Sequence, residues 1–130
     1  MSENEVYLTP LMKKELREIF NSILGENGVM VLTFHLRRYV GEDPLKSLIE
    51  YPHEFYRGLV EVYESGADAM IMLLAETLSQ RYGLNLDSRK FLLLMKNADP
   101  KSRESIRRIW VEVVRISLQS KGGLDECGEI

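Results

Sequence analysis

The chain has 130 residues, of which 45% are hydrophobic and 28% charged, and its formal net charge is −3. This size suits one domain that buries about two-thirds of its unfolded surface, and the composition excludes an intrinsically disordered chain. No apolar stretch approaches the roughly 20 residues of a membrane-spanning helix, and the lone Cys127 excludes an intrachain disulfide. The polar N-terminus has no signal-peptide core, so we expect one cytoplasmic domain over residues 1–130, without a membrane partner.

The first predicted helix is delimited by Thr9-Pro10 and Gly25, which are typical start and end signals. Its apolar residues fall three and four apart, as in one stripe of an amphipathic helix. They are Met12, Leu16, Ile19, Phe20 and Ile23.

A second helix is predicted at residues 27–40, ending at Gly41. Its run Val29-Met30-Val31-Leu32 is apolar on every side, which is typical of a mostly buried helix. A strand over residues 28–34 is the competing interpretation, because valine and phenylalanine favour strands, but no turn residue follows before Tyr39.

Further helix boundaries are marked by three kinds of residue. A helix start is marked by proline at the first position or by aspartate before it, and a helix end by glycine after the last position. They predict segments at residues 44–49, 52–64, 66–82, 87–97 and 100–120. The segment at residues 66–82 is apolar almost all round and is predicted to be the buried central helix. About seven segments with short loops predict a compact all-α bundle, with frayed tails at residues 1–8 and 122–130.

No catalytic, cofactor-binding or metal-binding site is predicted. His35 and His53 have no histidine, cysteine or carboxylate at the following third or fourth position, as a helical metal motif requires. A glycine-rich phosphate loop is absent too. Haem held by either histidine is an alternative, but the methionines fall at core spacing, which is typical of gap filling. They are Met30, Met70, Met72 and Met95.

Charge is distributed unevenly along the chain. Residues 101–121 contain six basic and two acidic side chains, whereas residues 42–68 contain seven acidic and two basic ones. Arg103 and Arg107 are one helical turn apart, and with Arg108 they form a possible basic binding face. Nucleic-acid binding by this face is an alternative function, disfavoured by the isoelectric point near 5.5 and by the lack of interleaved aromatic residues.

Protein association is the leading hypothesis. Helices that are apolar on nearly every side must be covered, and a small domain has few elements to cover them. A homodimer would cover these apolar sides. The competing interpretation is that one central helix is surrounded by the others. An enzyme or cofactor binder ranks third.

Several helix-boundary and packing motifs lie between residues 23 and 84. They are Leu24-Gly25-Glu26, Phe34-His35-Leu36, Pro52-His53-Glu54-Phe55, Leu59-Val60-Glu61-Val62-Tyr63 and Gly66-Ala67. In their order these motifs resemble a family of small helical archaeal signal-transduction modules, the Nitrosopumilus output domain. The resemblance covers under half of the chain and implies a helical output or adaptor domain, without catalytic residues. We expect no sensor or receiver region within residues 1–130.

Overall fold

The structure, a computed structural model, describes the backbone of residues 3–129 and the side chains of residues 7–120. Within this part of the chain there are six helices and no strand, which confirms the predicted all-α bundle with six helices in place of about seven segments. No helix there is both long and apolar enough to cross a membrane. The helices are α1 (Glu3–Val40), α2 (Pro44–Glu50), α3 (Pro52–Tyr63), α4 (Gly66–Tyr82), α5 (Ser88–Lys96) and α6 (Pro100–Glu129).

The first two predicted helices are the two limbs of α1, which meet at a kink. Gly25 has φ 77° and ψ 164°, a backbone conformation that essentially only glycine adopts. We call residues 3–24 the first limb and residues 26–40 the second limb. The competing strand over residues 28–34 is wrong, because this stretch is helical.

The predicted start at Thr9-Pro10 is also wrong, since α1 begins at Glu3 and contains Pro10. Leu8 and Met12, on either side of this proline, are both buried in the core. Their burial favours a continuous helix despite the hydrogen bond that proline cannot donate.

Three aspartates cap helices where the sequence predicted helix starts. Asp43 accepts a hydrogen bond from the Lys46 backbone at 3.2 Å, and Asp99 accepts one from the Ser102 backbone at 3.4 Å. Asp87 accepts two, from the first turn of α5. These carboxylates satisfy amide groups that a helix start leaves unpaired, so the predicted starts are confirmed.

The predicted helix end is confirmed for α4 and wrong for α6. α4 ends at Tyr82, and the next residue, Gly83, is left-handed with φ 69°, as predicted. α6 continues to Glu129, so the end predicted before Gly122-Gly123 is wrong; glycine inside a helix costs only about 1 kcal/mol. The predicted tails fall mainly on residues whose side chains lie outside the described part of the chain.

The core lies where α3 and α6 cross the other helices, since each of these two contacts all five others. Its largest buried side chains are Trp110, Phe55 and Phe91. α4, predicted as the central helix, is buried along one face only, and Leu73 on its other side is 42% exposed. α4 contacts α1, α3, α5 and α6 but not α2.

Two tyrosine–carboxylate hydrogen bonds join helices in the bundle. Tyr82, at the end of α4, donates to the buried Glu15 of α1 at 2.6 Å, and Tyr56 donates to Asp68 at 2.5 Å. Burial and the hydrogen bond to Asp68 raise the pKa of Tyr56 to about 12. Burial and the hydrogen bond to Glu15 raise the pKa of Tyr82 as well.

These shifts predict that the fold loses stability in alkali. An unfolded tyrosine has a pKa of about 10, so above that pH the unfolded chain ionises while folded Tyr56 and Tyr82 remain neutral. The two tyrosines therefore contribute fully to the free energy of unfolding below about pH 10. This contribution is lost as the pH rises through their pKa in the folded protein. Urea denaturation at about pH 8 and about pH 11 should show this fall, and Tyr82→Phe should make it smaller.

Tyr7→Phe is the matched control, because Tyr7 is 61% exposed. It should leave the pH dependence of the wild-type protein unchanged. An equal fall in wild type and in a double Tyr56→Phe/Tyr82→Phe variant would contradict the assignment to these two tyrosines.

Candidate functional site

The three arginines of the predicted basic face lie on two sides of α6. Arg103 lies with its guanidinium carbon 4.8 Å from the centre of the Tyr51 ring, and Arg107 beside it is half-buried. Arg108 projects about 100° away from Arg107 around α6 and lies 3.7 Å from Glu104. Arg103 and Arg107 therefore share a face, as predicted, while Arg108 belongs to an ion pair on another side.

Further along α6, basic side chains again pair with acidic ones. Arg115 donates hydrogen bonds to both carboxylate oxygens of Glu112 and, at 3.1 Å, to the side chain of Gln119. The hydrogen bond from Arg115 lowers the pKa of Glu112. This alternation of sign is typical of a solvated helix face.

The two histidines lie apart from each other. His53 is half-buried at the start of α3, with Nδ1 3.3 Å from the Met95 carbonyl oxygen. His35 is exposed on α1, and the Phe34 ring contacts it edge-to-face at 5.5 Å between centres. Among the described residues, no three histidine, cysteine, aspartate or glutamate side chains are grouped so that they could hold a metal ion.

Several clefts open on the described surface, and two of them lie beside candidate residues. One, of about 190 Å³, is lined by Tyr51, His53 and Arg103 among others, and is smaller than the 300 Å³ or so of a typical small-molecule pocket. The other, of about 630 Å³, runs between the two limbs of α1. Charges of both signs line it, and Lys13 pairs with Asp43 there at 2.5 Å. Neither cleft gathers groups for a recognisable chemistry.

An exposed apolar surface on the second limb of α1 is the strongest candidate site. Met30 is 68%, Val31 51% and Phe34 66% exposed. At about 100° per residue, they lie opposite the side by which this limb packs on the core. That buried side consists of Val29, Leu32 and Leu36.

We call the exposed side of this limb the outer face. It contains three neighbouring apolar residues with one polar residue at each end, namely Asn27, Met30, Val31, Phe34 and Arg38. Among the other exposed large hydrophobic residues, Leu73 and Leu93 lie on α4 and α5, and Val111 and Leu118 lie two turns apart on one side of α6. Single exposed hydrophobic residues are ordinary, whereas a contiguous apolar patch is typical of an interaction site.

The outer face overturns the prediction that the second helix is mostly buried. The run Val29-Met30-Val31-Leu32 is apolar on every side, but the bundle covers only one side of it. A second apolar stripe with the spacing of Met30 and Phe34 was the sequence signal for this surface.

No protein-family model, curated protein or solved structure matches the chain. The resemblance to archaeal output domains therefore stays a prediction.

Proposed function

We propose that the protein is a helical interaction module that acts by docking the outer face of α1 against another helix, as a homodimer. The observation that carries this proposal is the exposure of Met30, Val31 and Phe34 on one side of a well-packed helix. Removing apolar surface from water stabilises a contact by about 25 cal/mol per Å². A long flexible methionine and a phenylalanine one turn apart are suitable anchors for a helical partner.

A signalling output or adaptor role, which the family resemblance implies, forms part of this proposal. Such a role needs a surface that recognises a protein and no catalytic group. The outer face supplies a surface of that kind on a rigid helix, held by the buried Leu32 and Leu36.

The alternative function, nucleic-acid binding through Arg103, Arg107 and Arg108, has weaker support. Phosphate recognition requires several cations on one surface. Here Arg108 lies on another side of α6 and pairs with Glu104, so two of the three arginines, Arg103 and Arg107, share one surface.

The test is self-association of a Met30→Gln/Phe34→Gln variant. The wild-type protein should approach twice its chain mass of 15.0 kDa as concentration rises in sedimentation equilibrium. The variant should dissociate with a dissociation constant at least about tenfold higher, because glutamine keeps the helix but loses the apolar contact. Circular dichroism checks that the variant is folded.

Leu73→Gln on α4 is the matched control, since Leu73 is also an exposed apolar residue but lies outside the outer face. It should associate like the wild type. A wild-type mass near 15.0 kDa at every concentration, or an equal effect of Leu73→Gln, would overturn the proposed function.

A further inference from the structure

Opposite charges lie beside the two ends of the outer face. Glu26 and Arg37 also line the cleft between the two limbs of α1, and Arg38 belongs to the outer face itself. Glu26 lies at the N-terminal end of the second limb, and Arg37 and Arg38 lie in its last turn. All three are exposed, and within the described part of the chain none of them takes part in an ion pair. Glu26 and Arg38 are separated by about 18 Å along the helix axis.

From this charge arrangement we infer that the outer face binds a second copy of the same chain, with the two second limbs packed antiparallel. A two-fold axis between Val31 and Phe34 would place Val31 against the partner's Phe34. The same axis would place Asn27 against the partner's Arg38 and bring Glu26 close to the partner's Arg37 and Arg38. A single surface then complements itself, as an isologous dimer interface must.

Charge favours the antiparallel arrangement over the parallel one. In a parallel pair, Glu26 would face the partner's Glu26, and the arginines would face arginines, which is repulsive. The helix dipoles of parallel limbs would also be aligned side by side. In the antiparallel pair each acidic end meets a basic end, while Met30 and Phe34 fill the middle.

This inference rests on the proposed function, and thiol cross-linking tests it separately. Asn27→Cys and Arg38→Cys are made in a Cys127→Ser background, so that each chain carries one thiol. In the antiparallel dimer, Asn27 lies about 16 Å along the axis from its own copy but opposite the partner's Arg38. A short bismaleimide should therefore cross-link the mixed variants at least about fivefold more efficiently than either variant alone.

Charge reversal provides a second measurement. Glu26→Arg should raise the dissociation constant of the dimer about threefold to tenfold at low salt, and Glu26→Arg/Arg38→Glu should restore most of the loss. Both differences should shrink as salt screens these exposed charges.

The outcomes separate the two proposals. Preferential cross-linking of the mixture supports the antiparallel dimer. Efficient cross-linking of Asn27→Cys with itself, in a protein that still dimerises through Met30 and Phe34, would overturn the antiparallel arrangement and leave the proposed function standing. A wild-type protein that stays monomeric would overturn both.

Discussion

Replacing Trp110 with alanine is expected to lower the free energy of unfolding by about 3–5 kcal/mol. Trp110 lies on α6, and its indole is fully buried in the core. It packs edge-to-face on Phe91 of α5, with 6.2 Å between ring centres. Because α6 contacts every other helix, the cavity left by alanine can close only if several helices move. Urea denaturation followed by circular dichroism measures the loss, since the substitution removes the only tryptophan of the chain.

Trp110→Phe is the informative comparison. Within the described part of the chain, the indole Nε1 has no hydrogen-bond partner. A buried unpaired donor costs about 1–3 kcal/mol, so phenylalanine removes a cost while it keeps most of the ring. We expect a loss of at most about 1.5 kcal/mol. A loss as large as that of alanine would contradict this interpretation.

Local chemistry explains why most helix boundaries were predictable. Asp87 and Asp99 act through hydrogen bonds to amides two or three residues away, and Gly83 acts through its own backbone conformation. Such effects depend on neighbouring residues alone. The start of α1 was not predictable in this way, because burial of Leu8 depends on distant helices.

The candidate site depends on information that the residues of α1 do not contain. The pattern at Val29, Met30, Val31 and Leu32 predicts two apolar sides, but it does not indicate whether the bundle covers one or both. In the structure, α3 approaches the side that carries Leu36, and the side that carries Met30 stays exposed. Which side is covered follows from how six helices pack, and so the sequence predicted burial where the structure has a surface.

The predicted basic face also depends on residues outside α6, which the sequence of α6 does not show. The spacing of Arg103 and Arg107 correctly predicted one shared helix face. It did not predict Tyr51, which comes from the junction of α2 and α3 and lies under the Arg103 guanidinium. A charge count along the chain takes no account of such long-range partners, nor of the side of the helix on which Arg108 lies.

Replacing Gly58 with valine is expected to lower the free energy of unfolding by about 3 kcal/mol. This glycine of α3 lies against the second limb of α1, where an added Cβ would lie 2.7 Å from Val40 Cγ1 and 3.2 Å from Tyr39 Cβ. The two helices must therefore separate. Their separation would also shift the limb that carries the outer face, so the variant should dimerise less well than the wild type.

Two further variants test the cause of this loss. Gly66→Val adds the same side chain where a Cβ would lie 3.7 Å from its nearest neighbour, an ordinary contact, so it should change stability by less than about 1 kcal/mol. Val40→Ala removes the closest methyl group and should recover at least about 1 kcal/mol in the Gly58→Val background. Recovery stays partial, because Tyr39 Cβ remains close. If Gly58→Val and Gly66→Val were equally stable, close contact between α1 and α3 would not be what holds the second limb in place.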